Sequence, residues 1–170
     1  MAASSHAAEP ISEFRVEKSH ARATLTLSNG TLLRGSFFVS SNSRTHAGPE
    51  GIKDVLNAEP GFFPFRVERR DGAQTILLNR DHVVFLELSD GAEVRRDPGY
   101  DVATRRTVSM LFSNGVRIRG TVRVFRPQGR DRLSDFARGQ ETFRYLESEQ
   151  STYVINVRHL VELAEETSTP

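Results

Sequence analysis

One passage of the chain recurs. LTLSNGTLLRGSFFV at 25–39 aligns with MLFSNGVRIRGTVRV at 110–124 when shifted by 85 residues, and Ser, Asn, Gly, Arg, Gly and Val fall in register. At a shift of 81, IKDVLN (52–57) lies on LSDFAR (133–138), which pairs Asp54 with Asp135, and Phe62 then falls on Phe143. At a shift of 77, TILLNRDHVVFL (75–86) lies on TYVINVRHLVEL (152–163), matching Thr, Asn, His and Val. Three blocks in the same order, separated by loops of different length, indicate a duplicated unit, and an internal repeat restricts the fold more than any other sequence feature.

Each unit reads as mostly β. In the second copy Val108, Met110 and Phe112 recur at every second position, and Asn114-Gly115 marks a hairpin because both residues tolerate positive φ. The next strand places Val116, Ile118, Val122 and Val124 on one face and Arg117, Arg119, Thr121 and Arg123 on the other. Gly35 and Gly120, inside strands, mark bulges or sharp bends. RLSDFARG begins a short helix, with Ser134 as its cap, that ends near Gly139; GIKDVLNAEPG forms another that ends before Pro60. Asp54 and Asp135 then sit where a carboxylate favours a helix N-terminus. The recurring His82 and His159 follow Asn in a turn between strands and read as hydrogen-bonding turn residues. The expected fold class is mostly β: two tandem small Sm/SH3-like barrels, each with one short helix. The boundaries are an N-terminal flexible or helical segment at 1–18, a first repeat at 19–90, a linker at 91–101, a second repeat at 102–166 and a tail at 167–170. A unit of about 60 residues lies near the lower limit of independent stability, so packing or oligomerisation would help it bury apolar surface.

Composition removes several chemistries. The 170 residues include no cysteine, which excludes disulfides, thiolate metal sites and cysteine nucleophiles. No apolar run approaches the ~20 residues of a membrane-spanning helix, and the first residues lack the basic and apolar regions of a signal peptide. The expected location is cytoplasmic, with no membrane partner. No G-x-S-x-G, P-loop, H-E-x-x-H or dinucleotide fingerprint is present, so no enzymatic activity, catalytic residue, metal or cofactor is expected.

VSMLFSNGVRIRGTVRVF followed by YVINVRHLVEL resembles the bacterial Sm-like (Hfq-like) RNA chaperones. The resemblance implies a bent five-stranded barrel that forms rings by edge-strand pairing and binds RNA in the ring pore. The Lys-His pair of that family corresponds to Arg158-His159 in the second unit and Asp81-His82 in the first. The stretch 125–151 is longer than the family's turn and carries the helix. The family also has an N-terminal helix, for which EPISEFRVEKSH is the candidate. RLSDF and KDVLN are similar to an uncharacterised bacterial domain family with an Arg-x-Ser-Asp-x-Leu-Asn signature.

The net charge is +1, and of the 23 basic residues only Lys18 and Lys53 are Lys. Eleven Arg face eight acids over 102–166, and Arg105, Arg106, Arg117, Arg119, Arg123, Arg126, Arg130 and Arg132 fall within 28 residues. One expectation is RNA binding by phosphate neutralisation, through Arg117, Arg119, Arg123, Arg158 and His159, with Phe125 and Tyr145 as candidate stacking residues. The competing expectation is a protein-interaction or structural assembly module in which the arginines form a solvated sheet face, paired with cross-strand carboxylates. Self-association is expected through edge strands such as 83–88 or 160–164.

Overall fold

Among the described residues the alternating segments become ten strands and the middle blocks become two short helices. The computed structural model describes residues 18–127 and 129–166. The first repeat comprises β1 (Lys18–Leu27), β2 (Leu32–Ser40), α1 (Ile52–Ala58), β3 (Phe62–Arg69), β4 (Gly72–Asn79) and β5 (Val83–Leu88). The second comprises β6 (Thr104–Phe112), β7 (Arg117–Val124), α2 (Leu133–Ala137), β8 (Phe143–Glu147), β9 (Thr152–Asn156) and β10 (Leu160–Glu165). A one-turn 3-10 helix precedes the last strand of each repeat, at Arg80–His82 and Val157–His159. Lys18, Ser19 and His20 of the candidate N-terminal helix belong to β1, and the rest of that segment lies outside the described residues.

The hairpins form where Asn-Gly placed them, with a different turn. Only the glycine takes a positive φ, 83° at Gly30 and 82° at Gly115. Its N–H donates to the carbonyl three residues back, Leu27 or Phe112, at 2.9 Å. Asn29 and Asn114 instead use their side-chain oxygens to accept from the N–H of Thr31 and Val116. Gly35 and Gly120 are needed for close approach. A Cβ at Gly35 would lie 2.1 Å from the Arg66 carbonyl oxygen, and one at Gly120 would lie 2.5 Å from that of Glu147.

All ten strands join one antiparallel sheet in the order β10-β6-β7-β8-β9-β5-β1-β2-β3-β4. Each half has the same internal order: its fifth strand beside its first, followed by the second, third and fourth. Two closed barrels are not what this pairing makes. The free edge of β5 is taken by β9 of the other repeat rather than by β4 of its own, so the sheet stays open, with β4 and β10 at its edges. Of the two segments expected as edges, 160–164 is one, whereas 83–88 is an interior strand. Each half curls around its own apolar cluster, built on Leu25, Phe37, Phe65 and Leu86 in one and on Val108, Met110, Phe112 and Leu146 in the other. The clusters exchange residues: Phe143 and Val154 of the second repeat complete the first, and Val84 and Phe85 of the first complete the second. Burying such a side chain contributes about 1.5–3 kcal/mol. The segment 91–101 is more than a tether, since Gly91–Arg96 forms a 3-10 helix that buries Glu93 and Val94.

Asp54 and Asp135 both occupy the third helical position and accept from the backbone N–H of Gly51 and Arg132, at 2.9 and 3.1 Å. Ser134 lies inside α2 and is not its cap, because the helix starts one residue earlier, after Arg132. Asp54 also holds His46, whose Nε2 lies 2.8 Å from Oδ2, while Nδ1 lies 3.0 Å from the Ala47 carbonyl oxygen. With an acceptor at each nitrogen, the ring pins this loop best as a doubly protonated imidazolium. The Ala47 carbonyl and then the Asp54 carboxylate raise the His46 pKa above 6.5 against the opposing effect of burial. A raised histidine contributes stability that is complete below the unfolded value, about pH 6.5, and is lost as the pH rises through the folded value. The stability gap between wild type and His46→Gln, measured by urea unfolding, is therefore expected to shrink between pH 6 and pH 9. A gap independent of pH would contradict the imidazolium assignment.

Candidate functional site

The joint between the repeats brings charged groups of both halves together. Its backbone is the antiparallel β5–β9 pairing, in the register Phe85–Ile155, Leu86–Val154, Glu87–Tyr153. Asn57, on α1, grips the backbone of β8 from above. Its amide donates to the Phe143 carbonyl at 2.8 Å and its oxygen accepts from the Phe143 N–H at 2.9 Å. At the other end of the joint the two 3-10 turns meet. Asn79 and Asn156 shape them identically, each accepting from the N–H two residues on at 3.0 Å. Ser28 and Ser113 anchor them through Oγ to Nδ1 of His82 and His159, at 2.8 and 2.7 Å.

Arg158 and His159 serve this joint. Arg158 Nη1 lies 3.2 Å from Asp81 Oδ1, and His159 Nε2 lies 2.8 Å from the Asp81 carbonyl oxygen. The other three arginines of the expected RNA site lie on one face of β7, each facing a carboxylate. Arg117 reaches Glu162 at 2.9 Å, Arg119 reaches Glu166 at 3.0 Å, and Arg123 reaches Glu147 at 2.7 Å. The Arg117 guanidinium holds the Glu162 carboxyl below its usual range. Arg123 also donates to the Tyr100 carbonyl at 3.0 Å and stacks over the Tyr100 ring. Arg106 pairs with both Asp131 and Glu165 at 3.2 Å. The arginine row is thus flanked by carboxylates from β8 on one side and from β10 and the residue after it on the other, and Arg158 and His159 are engaged with the first repeat. Of the stacking candidates, Phe125 is exposed, whereas Tyr145 is half-buried and its hydroxyl donates to Glu93 at 2.8 Å. Among the described residues no group of three or more His, Asp or Glu is placed to hold a metal ion, and no helix is long and apolar enough to cross a membrane.

Lys53 is the feature that sequence reasoning passed over. It sits on α1, almost fully buried, with its ammonium bonded to Asp97 of the linker and 3.2 Å from Glu141 of the second repeat. One side chain therefore ties the first repeat, the linker and the second repeat together. Burial works against its charge, but Asp97 and Glu141 outweigh that and hold the pKa above its ordinary value. Beside it, burial pushes the Glu93 carboxyl up; Glu93 accepts from the Lys53 N–H at 3.3 Å. Lys53, Asp97 and Glu141 border a cleft of about 440 Å³ that Arg144 and Glu147 also line. The only available signal was that a chain with 21 Arg keeps a lysine here.

No family model matches the chain, and no curated protein or solved structure matches it. The functional reading rests on the residues themselves.

Removing the Lys53 ammonium leaves two carboxylates facing each other across the joint. Lys53→Met is expected to lower unfolding stability by about 1–3 kcal/mol, since both partners keep some solvent contact. An unchanged urea midpoint would show that the triad does not hold the repeats together.

Proposed function

We propose that the chain is a non-enzymatic assembly module: a tandem pair of Sm-like β units whose open edges, β4 and β10, pair between copies of the chain. One comparison carries this reading. Three residues buried in the internal joint have repeat equivalents that are exposed at the edges. Phe143 is 1% exposed and Phe62 63%; Val154 is 0% and Leu77 67%; Val84 is 0% and Val161 67%. The same positions that bind the repeats to each other are left apolar and uncovered on β3–β4 and β10. Unpaired strand edges are templates for further pairing. The register would follow the internal one, placing Leu163 of one chain opposite Leu77 of the next.

The joint is heterologous, since β10-type and β4-type edges differ. Repeated head to tail it makes a ring if the rotation closes and a filament if it does not. A ring of whole chains holds an even number of units. The copy-to-copy joint is weaker than the internal one at two positions. Glu162 stands where the internal joint uses the buried Phe85, and Arg138 stands where it uses Asn57. This suits assembly that responds to concentration. RNA binding through Arg117, Arg119, Arg123, Arg158 and His159 has less support, because a phosphate would have to compete with the carboxylate or carbonyl partner that each already has.

Light scattering over a concentration series tests the reading. Wild type is expected to exceed the mass of one chain as concentration rises. Leu77→Lys and Val161→Lys should each raise the midpoint about tenfold or more, the cost of withholding one buried aliphatic side chain; Glu162→Phe should lower it. A wild type that stays monomeric at its highest soluble concentration would overturn the proposal. Low-salt binding of short single-stranded RNA that Arg123→Ala weakens would favour the RNA reading instead.

A further inference from the structure

We infer that Asp81 and Arg158, which occupy the same position in the two repeats, form an alternating charge code that closes every joint of the assembly; this rests on the edge-pairing reading above. In the internal joint, the turn after β9 meets the turn after β4. Arg158 reaches Asp81 at 3.2 Å, and His159 Nε2 reaches the Asp81 carbonyl oxygen at 2.8 Å. The copy-to-copy joint exchanges the roles. There the turn after β4 of one chain takes the place of the turn after β9, and the turn before β10 of the next chain takes the place of the turn before β5. Position 81 of one chain then faces position 158 of the next. The pair is again Asp against Arg, with the direction reversed.

The state of the two histidines agrees with this. Both bind their serine through Nδ1, but only His159 has a partner for Nε2 among the described residues. His82 is exposed, with Nε2 toward no described acceptor. In the copy-to-copy joint the corresponding acceptor is the Arg158 carbonyl of the next chain. Both members of the charge pair are also well exposed in the single chain, 67% for Arg158 and 65% for Asp81, which leaves each free to serve a second partner. Every Asp81 would stand between two Arg158 side chains, and every Arg158 between two Asp81. Had the duplicated units kept the same residue here, like charges would meet at every joint. The divergence of this position replaces a like-charged set of turns with a neutral alternating one, and it makes a second copy of this chain the partner that the edges fit.

Charge exchange in trans provides the test. Asp81→Arg chains carry Arg at both positions, and Arg158→Asp chains carry Asp at both. Each alone sets like charges at every joint and is expected to assemble about two- to fivefold more weakly than wild type at low salt, the range for exposed pairs. Mixed, the two variants restore opposite charges at the copy-to-copy joints, so mass spectrometry should find them alternating rather than randomly distributed. The double variant, Asp81→Arg with Arg158→Asp, should assemble as wild type does. All differences should fade in high salt. Single variants that assemble as tightly as wild type, or a statistical mixture, would overturn the charge code while leaving edge pairing intact. Loss of assembly in wild type itself, seen by the same light scattering, would remove edge pairing and the code with it.

Discussion

The β5–β9 pairing determines the shape of the whole molecule. A strand has two edges. In the first repeat β5 uses one for β1 and gives the other to β9. Once that edge is taken, β4 cannot close against it, and the first repeat remains open. The second repeat is open for the complementary reason, because β9 has turned away from β10. The joint thus completes two apolar clusters and creates two bare edges in one step. Lys53 and the Asn57 clasp lock it from the helix side, and the Asp81–Arg158 contact locks it from the turn side.

Much of the fold was legible because its determinants are local. The Asn-Gly hairpins, the Asn-x-x-His turns and the aspartates at the third helical position satisfy backbone groups within a few positions, so the same letters recur in both halves. The strand faces were legible from alternation. The turn type was misread because Asn29 and Asn114 stabilise the loop through their side chains, with only the glycines at positive φ. Ser134 was misplaced as a cap because a serine one position into a helix is indistinguishable by composition from one at its start.

What joins the halves was not legible. Phe62 and Phe143 are the same residue at the same repeat position, yet one is exposed and the other buried. Nothing within either repeat distinguishes them; the difference is which neighbour arrives. Lys53 meets partners 44 and 88 residues away, a separation at which no spacing rule operates. The arginine cluster was visible, but two of its carboxylate partners, Glu162 and Glu166, come from β10 and the residue after it, which sequence order does not bring near β7.

If β10 of one chain pairs with β4 of the next, the internal joint is repeated between chains in the same register. The absence of cysteine from the chain allows a direct measurement. Cross-strand neighbours have Cα atoms about 4.5–5.5 Å apart, within disulfide range. Leu86 and Val154 are such neighbours inside the chain, so Leu86→Cys with Val154→Cys is the internal control. Their repeat equivalents are Leu163 and Leu77. When Leu77→Cys chains and Leu163→Cys chains are mixed and oxidised, the account expects crosslinks between unlike chains and few between like ones. Crosslinks mainly between like chains, or none where the internal control closes fully, would contradict it.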